Sequence, residues 1–335
     1  MILQRIIKEI RMSQLPTRLR RSSILRKLVQ ETRLSRHDLV QPIFVTCSDK
    51  KTEIISMPNQ YHMPLNIIEK EIEKVIKSGI NSIILFGIPE KKDNEGSNTI
   101  SDNGIVQQAV RRIKKFFPDL LIITDVCFCQ YTTHGHCGIL DKNGIIDRKK
   151  SLKQLQKQVL SHAAAGSDIV APSCMIDEMI KYIREALDDD NYEDIGILSY
   201  AVKFASAFYG PFRNAADSTP QHGNRKSYQL SPENIQEALK EAQIDEYEGA
   251  DIIMVKPSLP YLDVIRQVKN IVKSPVAAYQ VSGEYAMIKS AGEKGWIDED
   301  LCILESLTGI KRAGANFIIT YFATHAAQLI KQNNK

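Results

Sequence analysis

Eight short apolar, β-branched runs recur along this chain, at 40–45, 82–87, 121–126, 168–171, 195–202, 251–255, 276–281 and 317–322. Nearly continuous apolar runs predict parallel strands covered on both faces, because a strand with one wet face alternates apolar with polar residues. Helical patterns fill the gaps. Leu262, Ile265, Val268 and Val272 recur at spacings of three and four, which lines one helix face with apolar groups. Ser231-Pro232-Glu233-Asn234 predicts another helix start, with serine as cap and proline in the first turn. Eight alternations of strand and helix predict an α/β fold, a (β/α)8 TIM barrel whose site lies at the carboxyl ends of the strands. An open doubly wound sheet is the alternative, but the glycine-rich nucleotide loop of such sheets is missing. At 335 residues the chain accommodates one barrel of about 250 residues plus extensions.

The apolar fraction of 43% supplies a large core, and no apolar run approaches the roughly 20 residues that cross a bilayer. The start lacks the apolar stretch of a secretory signal, so the expected location is the cytoplasm, without membrane contact. The net charge of +4 is unevenly spread: residues 1–36 hold ten Lys or Arg against Glu9 and Glu31, leaving the remainder at −4. We therefore expect a basic N-terminal arm over 1–36 and a catalytic barrel over 37–335. Such an arm suits nucleic acid, organelle targeting or a tail wrapped round a neighbouring subunit. It has no interleaved aromatics and no recognisable nucleic-acid module, so nucleic acid is not the expected partner.

Two lysines sit at strand ends, Lys203 in Tyr-Ala-Val-Lys-Phe-Ala-Ser and Lys256 in Ile-Met-Val-Lys-Pro. A buried ammonium is costly, so burial lowers a lysine pKa, and a second ammonium nearby lowers it further. A neutral amine so prepared forms Schiff bases with ketones, and two amines suggest two ketones. The competing reading keeps both heads in water while their stems pack. The stretch 204–230 exceeds an ordinary βα loop of about 2 to 6 residues. It is expected to be an active-site lid, with Tyr209, Arg213, His222, Arg225 and Lys226 supplying hydrogen bonds and charge.

Cys127, Cys129 and Cys137 fall within eleven residues, in Asp125-Val-Cys-Phe-Cys-Gln-Tyr-Thr-Thr-His-Gly-His-Cys. In a reducing compartment clustered thiols point to metal or redox chemistry rather than disulfides. Three soft thiolates favour Zn2+ and leave a fourth tetrahedral position open, as catalytic sites require. His134 and His136 are expected outside the ligand set. Cys47, Cys174 and Cys302 stand apart and are expected to be small buried hydrophobes.

The cysteine loop, both lysine motifs, Lys-Phe-Ala-Ser-Ala-Phe-Tyr-Gly-Pro-Phe-Arg and Tyr-Gln-Val-Ser-Gly-Glu-Tyr-Ala-Met-Ile-Lys together resemble the 5-aminolevulinate dehydratases, or porphobilinogen synthases, over about Arg18 to Ala323. The resemblance implies a barrel enzyme that condenses two 5-aminolevulinate molecules to porphobilinogen with loss of two waters, for haem synthesis. It implies Lys256 as principal Schiff-base lysine, Lys203 as the second, and Asp125 as a group that orients or deprotonates the substrate amine. Arg213 and Arg225 match residues that hold one substrate carboxylate, and Ser282 and Tyr321 those that hold the other, with Tyr209 beside them. Cys127, Cys129 and Cys137 match the catalytic zinc ligands of the zinc-dependent branch, and Glu241 an allosteric Mg2+ ligand of some bacterial members. Homo-octamers held by N-terminal arms are implied as well. Cys174 and Glu178-Met179 depart from the family pattern. A class I aldolase with one Schiff-base lysine, and a zinc-stapled scaffold without catalysis, are the competing functions.

Overall fold

The computed structural model describes residues 15–333, in two units that meet between Arg33 and Leu34. Within the described part of the first unit, Pro16–Leu19 forms a 3-10 turn and Ser23–Leu28 a short helix, α1. Ser22 caps α1 by accepting from Leu25 N at 3.2 Å. Ile24 and Leu28 are exposed. Residues 1–14 of the expected arm lie outside the described residues.

The second unit is a closed parallel barrel. Its strands are β1 (Leu39–Thr46), β4 (Ser82–Ile88), β5 (Leu121–Val126), β6 (Ile169–Pro172), β7 (Gly196–Lys203), β8 (Ile252–Lys256), β9 (Val276–Gln280) and β10 (Phe317–Thr320), paired in that order. Leu39 pairs with Ile318 and Val40 with Ile319, which closes the ring. All eight expected strands form, each nearly buried throughout, as two-sided coverage by helices requires. A small addition escaped the sequence reading: β2 (Thr52–Glu53) and β3 (Tyr61–Pro64) make a hairpin, and β3 extends β1 past the point where β10 leaves it. These segments are too short and too polar to show a strand pattern.

Among the described residues, ten α-helices belong to this unit: α2 (Ile68–Ser78), α3 (Ile105–Phe116), α4 (Arg148–Ala165), α5 (Met179–Asp189), α6 (Gly210–Ala215), α7 (Ile235–Tyr247), α8 (Leu262–Ile271), α9 (Ser282–Glu293), α10 (Glu299–Ala313) and α11 (Ala323–Asn333). The expected stripe on α8 buries Ile265 and Val268 completely, each worth about 1.5–3 kcal/mol as area removed from water. The helix expected at Ser231 starts later, at Ile235. The Ser231 hydroxyl is taken by the Glu233 carboxylate instead of capping, and 231–234 closes a turn through Asn234 N to Ser231 O at 3.0 Å. No helix among the described residues is long and apolar enough to cross a membrane.

The stretch 204–230 leaves β7 and returns to it. Ala205 N bonds Leu230 O at 2.8 Å and Leu230 N bonds Lys203 O at 3.1 Å, so both ends are tied beside Lys203. Between them lie a 3-10 turn, α6 and a series of turns.

Candidate active site

One irregularity in the barrel sets the geometry. Between Ser199 and Val202 β7 takes three steps while β8, from Ile253 to Val255, takes two. This bulge, with its one extra residue, lets Lys203 pair with Lys256. It also turns Tyr200 to the same side as Lys203, although residues three apart in a regular strand face opposite ways. The Tyr200 ring lies 4.9 Å from Lys256 Nζ and 5.6 Å from Lys203 Nζ.

Both lysines are buried, at 6% and 5% exposure, so neither snorkels to water. They line one cavity with Phe86, Asp125, Cys129, Gln130, Ser173, Tyr209, Phe212 and Arg225. This space is only about 20 Å3, room for a single water, and Phe212 and Tyr209 from 204–230 are among the residues that line it.

Lys256 Nζ stands among four aromatic rings, Tyr279 at 4.3 Å, Tyr200 at 4.9 Å, Phe212 at 5.2 Å and Tyr209 at 5.4 Å. Burial, followed by the Lys203 cation, pulls its pKa down to about 7. Lys203 Nζ instead donates to Ser173 O at 2.5 Å. Burial pulls Lys203 down too, but the sulfurs of Cys137 and Cys127 outweigh it and the net shift is upward. The expectation that both amines are depressed is therefore corrected for Lys203, because sulfur rather than hydrocarbon faces it.

Asp125, next to last in β5, accepts from Gln130 Nε2 at 3.2 Å. Burial first, then charge on Cys127, raises its carboxyl to about 6. The Cys127, Cys129 and Cys137 sulfurs lie within 4.8 Å of one another, all buried, with Cys127 Sγ to Cys129 Sγ at 3.4 Å. Four-coordinate zinc with bonds of about 2.3 Å needs sulfurs just under 4 Å apart, so this trio fits such an ion. Contacts from the other thiols, Cys129 first, hold Cys127 well below the usual thiol pKa. Cys174 is buried within the hydrophobic core as expected, and its thiol donates to Val126 O at 3.7 Å, close enough to Cys127 for the two thiols to influence each other. Cys47 is exposed, so the small-hydrophobe reading fails for it, whereas Cys302 is half-buried and packs against the core.

The ring nitrogens of His134 and His136 are engaged by Asn94 O, His136 N, Tyr228 OH and His222 O, and the two residues tie the cysteine loop to 204–230. His136 Nε2 donates to His222 O at 2.9 Å, and Nδ1 then accepts from Tyr228 OH at 3.1 Å. Gln221 N bonds His134 O at 3.1 Å. Arg225, 5% exposed, donates through Nη2 to Gly135 O at 2.9 Å and Ser218 O at 2.5 Å. Its Nε and that of Arg213 are buried without partners, two forks still able to bind an anion. Gly135 has φ +70°, and a Cβ there would lie 2.5 Å from Thr219 O, so only glycine lets loop and lid approach this closely.

Ser282 and Tyr321 occupy the opposite wall. Ser282 begins α9 without capping it; its Oγ accepts from Phe212 N at 2.9 Å and donates to Phe208 O at 3.4 Å, holding the lid. Tyr321 OH accepts from Tyr279 OH at 3.0 Å, which links this wall to the ring over Lys256. Glu241 is not part of the assembly. It is half-buried on α7 and lines a separate cavity of about 480 Å3 with Asp177, Glu237, Asp245 and Glu248. This larger space holds no lysine–thiol chemistry, so size does not identify the site. Sequence reasoning missed Tyr200, Phe212, Gln130 and Tyr279: each reads as ordinary core until the bulge and lid bring it to an amine.

Comparisons with known proteins agree on one family. A family model described as Delta-aminolevulinic acid dehydratase matches residues 13–329. A Bacillus subtilis (strain 168) protein of that name is 50% identical over 316 residues, 94% of this chain and 97% of that one. Its Synechocystis namesake is 49% identical over 320 residues, covering 94% and 98%. Among solved structures, the delta-aminolevulinic acid dehydratase (porphobilinogen synthase) of Toxoplasma gondii ME49, in complex with the product porphobilinogen, superposes with a TM-score of 0.93 at 41% identity, over 94% of this chain and 91% of that one.

Proposed function

The chain belongs to the delta-aminolevulinic acid dehydratase family, and from that premise we propose how its residues divide the work of joining two 5-aminolevulinate molecules into porphobilinogen. It is a lyase of porphyrin biosynthesis, and the family depends on metal. The observation that carries the residue assignment is the pairing of Lys203 with Lys256 in one buried cavity beside Asp125 and Cys129.

Lys256, with a pKa near 7, is a ready nucleophile at neutral pH. Its amine adds to one substrate ketone, and the carbinolamine loses water to give an imine. Tyr279, Tyr200 and Phe212 keep bulk water away from that imine. Ser282 and Tyr321 hold the carboxylate of this substrate, once Ser282 releases the lid backbone. Lys203 is the second imine-forming lysine; its ammonium must first lose a proton, and the buried Asp125 carboxylate is the base within the cavity. Arg213 and Arg225 hold the second carboxylate through their unpartnered Nε groups. Two imines release two waters, and both lysines are freed as the ring closes, which balances the reaction.

Cys127, Cys129 and Cys137 would hold Zn2+, chosen over Mg2+ because all three donors are soft sulfur. Bound there, the ion supplies Lewis acidity and orients the second substrate. Glu241, in its acid-lined cavity, is proposed to take Mg2+ away from the reacting groups. Residues 1–36 are proposed as an arm that joins subunits into a homo-octamer, in the cytoplasm; the exposed Ile24 and Leu28 suit burial against another copy. A colour assay for porphobilinogen after incubation with 5-aminolevulinate, with and without zinc, tests the assignment. Borohydride reduction followed by peptide mass spectrometry should place the adduct on Lys256, and its absence there would overturn the reading.

A further inference from the structure

Glu284 is completely buried in the first turn of α9, and no ion pair to it is found among the described residues. Its carboxylate collects four neutral donors from two strand exits. Oε1 accepts from Leu259 N at 2.5 Å and Ser258 Oγ at 3.1 Å, just beyond Lys256 at the end of β8. Oε2 accepts from Val281 N at 2.5 Å and Ser258 N at 3.5 Å, the first of these just before Ser282 at the end of β9. β8 and β9 are paired in register from Ile253 with Val276 to Val255 with Ala278. Past that ladder the carboxylate ties the two chains together at Leu259 and Val281. A helix cap needs only one or two donors from its own first turn. Burying a charge that also grips the neighbouring strand's exit is costly unless the grip is used.

We propose that Glu284 is a positioning residue that fixes the separation between Lys256 and Ser282, and thereby selects substrates carrying a ketone and a carboxylate at one set spacing. The inference rests on the roles proposed above for Lys256 and Ser282. It concerns a residue that touches neither reacting group. The exchange Glu284→Gln keeps the shape but turns an NH2 toward N–H donors, so one side of the clamp must open.

The test is borohydride trapping on Lys256 with two probes: 4-oxopentanoate, which has the ketone and carboxylate of the substrate without its amine, and 2-butanone, which has no carboxylate. The unaltered enzyme should trap the keto acid at least about tenfold more efficiently, the value of one good charge-assisted contact. In Glu284→Gln that preference should fall about tenfold toward unity, while trapping of 2-butanone changes by less than about threefold. An unchanged preference overturns the proposal, and so does an equal loss for both probes, which marks a merely structural residue. If the unaltered enzyme traps neither probe at Lys256, the parent assignment has failed instead. Should Glu284→Gln not fold, Ser258→Ala removes only the hydroxyl donor and should lower the preference about twofold to threefold. No change there also overturns it.

Discussion

Lys203 and Lys256 are the same residue at paired positions of adjacent strands, equally buried, and their surroundings push them in opposite directions. Around Lys256 the wall is aromatic, and burial, helped by the nearby Lys203 cation, brings its proton release near neutrality. Around Lys203 the wall is sulfur and carbonyl oxygen, which favour the cation. The difference teaches that a buried lysine is not by itself a neutral amine. What faces it decides, and a site with one of each can form its two imines at different stages.

The largest break of this contrast is Lys256→Ala, expected to lower porphobilinogen formation by roughly 10⁴-fold or more while circular dichroism remains that of a folded barrel. Residual turnover within tenfold of the parent would show that Lys203 can serve alone. Next is Cys127→Ser or exhaustive chelation. Both should strip the metal found by elemental analysis and reduce turnover about 10²-fold or more, with the melting temperature little changed because the thiols occupy one βα connection of an otherwise filled barrel. A collapse of the fold on chelation would instead make the sulfurs a structural staple.

Gly135→Ala should raise KM by about tenfold to a hundredfold, since its new methyl meets Thr219 O and parts the lid from the cysteine loop. Steady-state kinetics with an unaltered KM would separate lid closure from this contact. The smallest effect is a shift in a pH profile. Imine formation at Lys256 needs the uncharged amine, so trapping should rise with pH up to about 7 and level off above it. In Lys203→Met one of the two causes that lower Lys256 disappears, so the proton is held more tightly and the profile should move to higher pH. A profile unmoved in that variant would leave burial as the whole cause.

The barrel was legible because its strands are apolar on both faces, a pattern that needs no knowledge of neighbours. The cysteine trio was legible because its three thiols are close in sequence. The lid was visible as a βα connection too long for its place, although its ties to His136, Gly135 and Ser282 were not. Nor was the failed serine cap at Ser231, where a local carboxylate competed for the hydroxyl. Cys174 was set apart on sequence distance alone, and the pairing of β5 with β6 brings it against Cys127.

By itself the sequence determined which residues could do chemistry here: two strand-end lysines, three clustered thiols and two lid arginines. Hydrophobic periodicity and close ligand spacing are local properties that survive without coordinates. Only the tertiary structure decided that one extra residue in β7 sets the lysines side by side, that aromatic rings enclose one and sulfur faces the other, and that Glu284 ties the exits of β8 and β9 together. The reason is physical. Charge state and spacing depend on groups within a few ångströms in space, and residues as far apart along the chain as Asp125, Lys203 and Lys256 become neighbours only when the barrel closes.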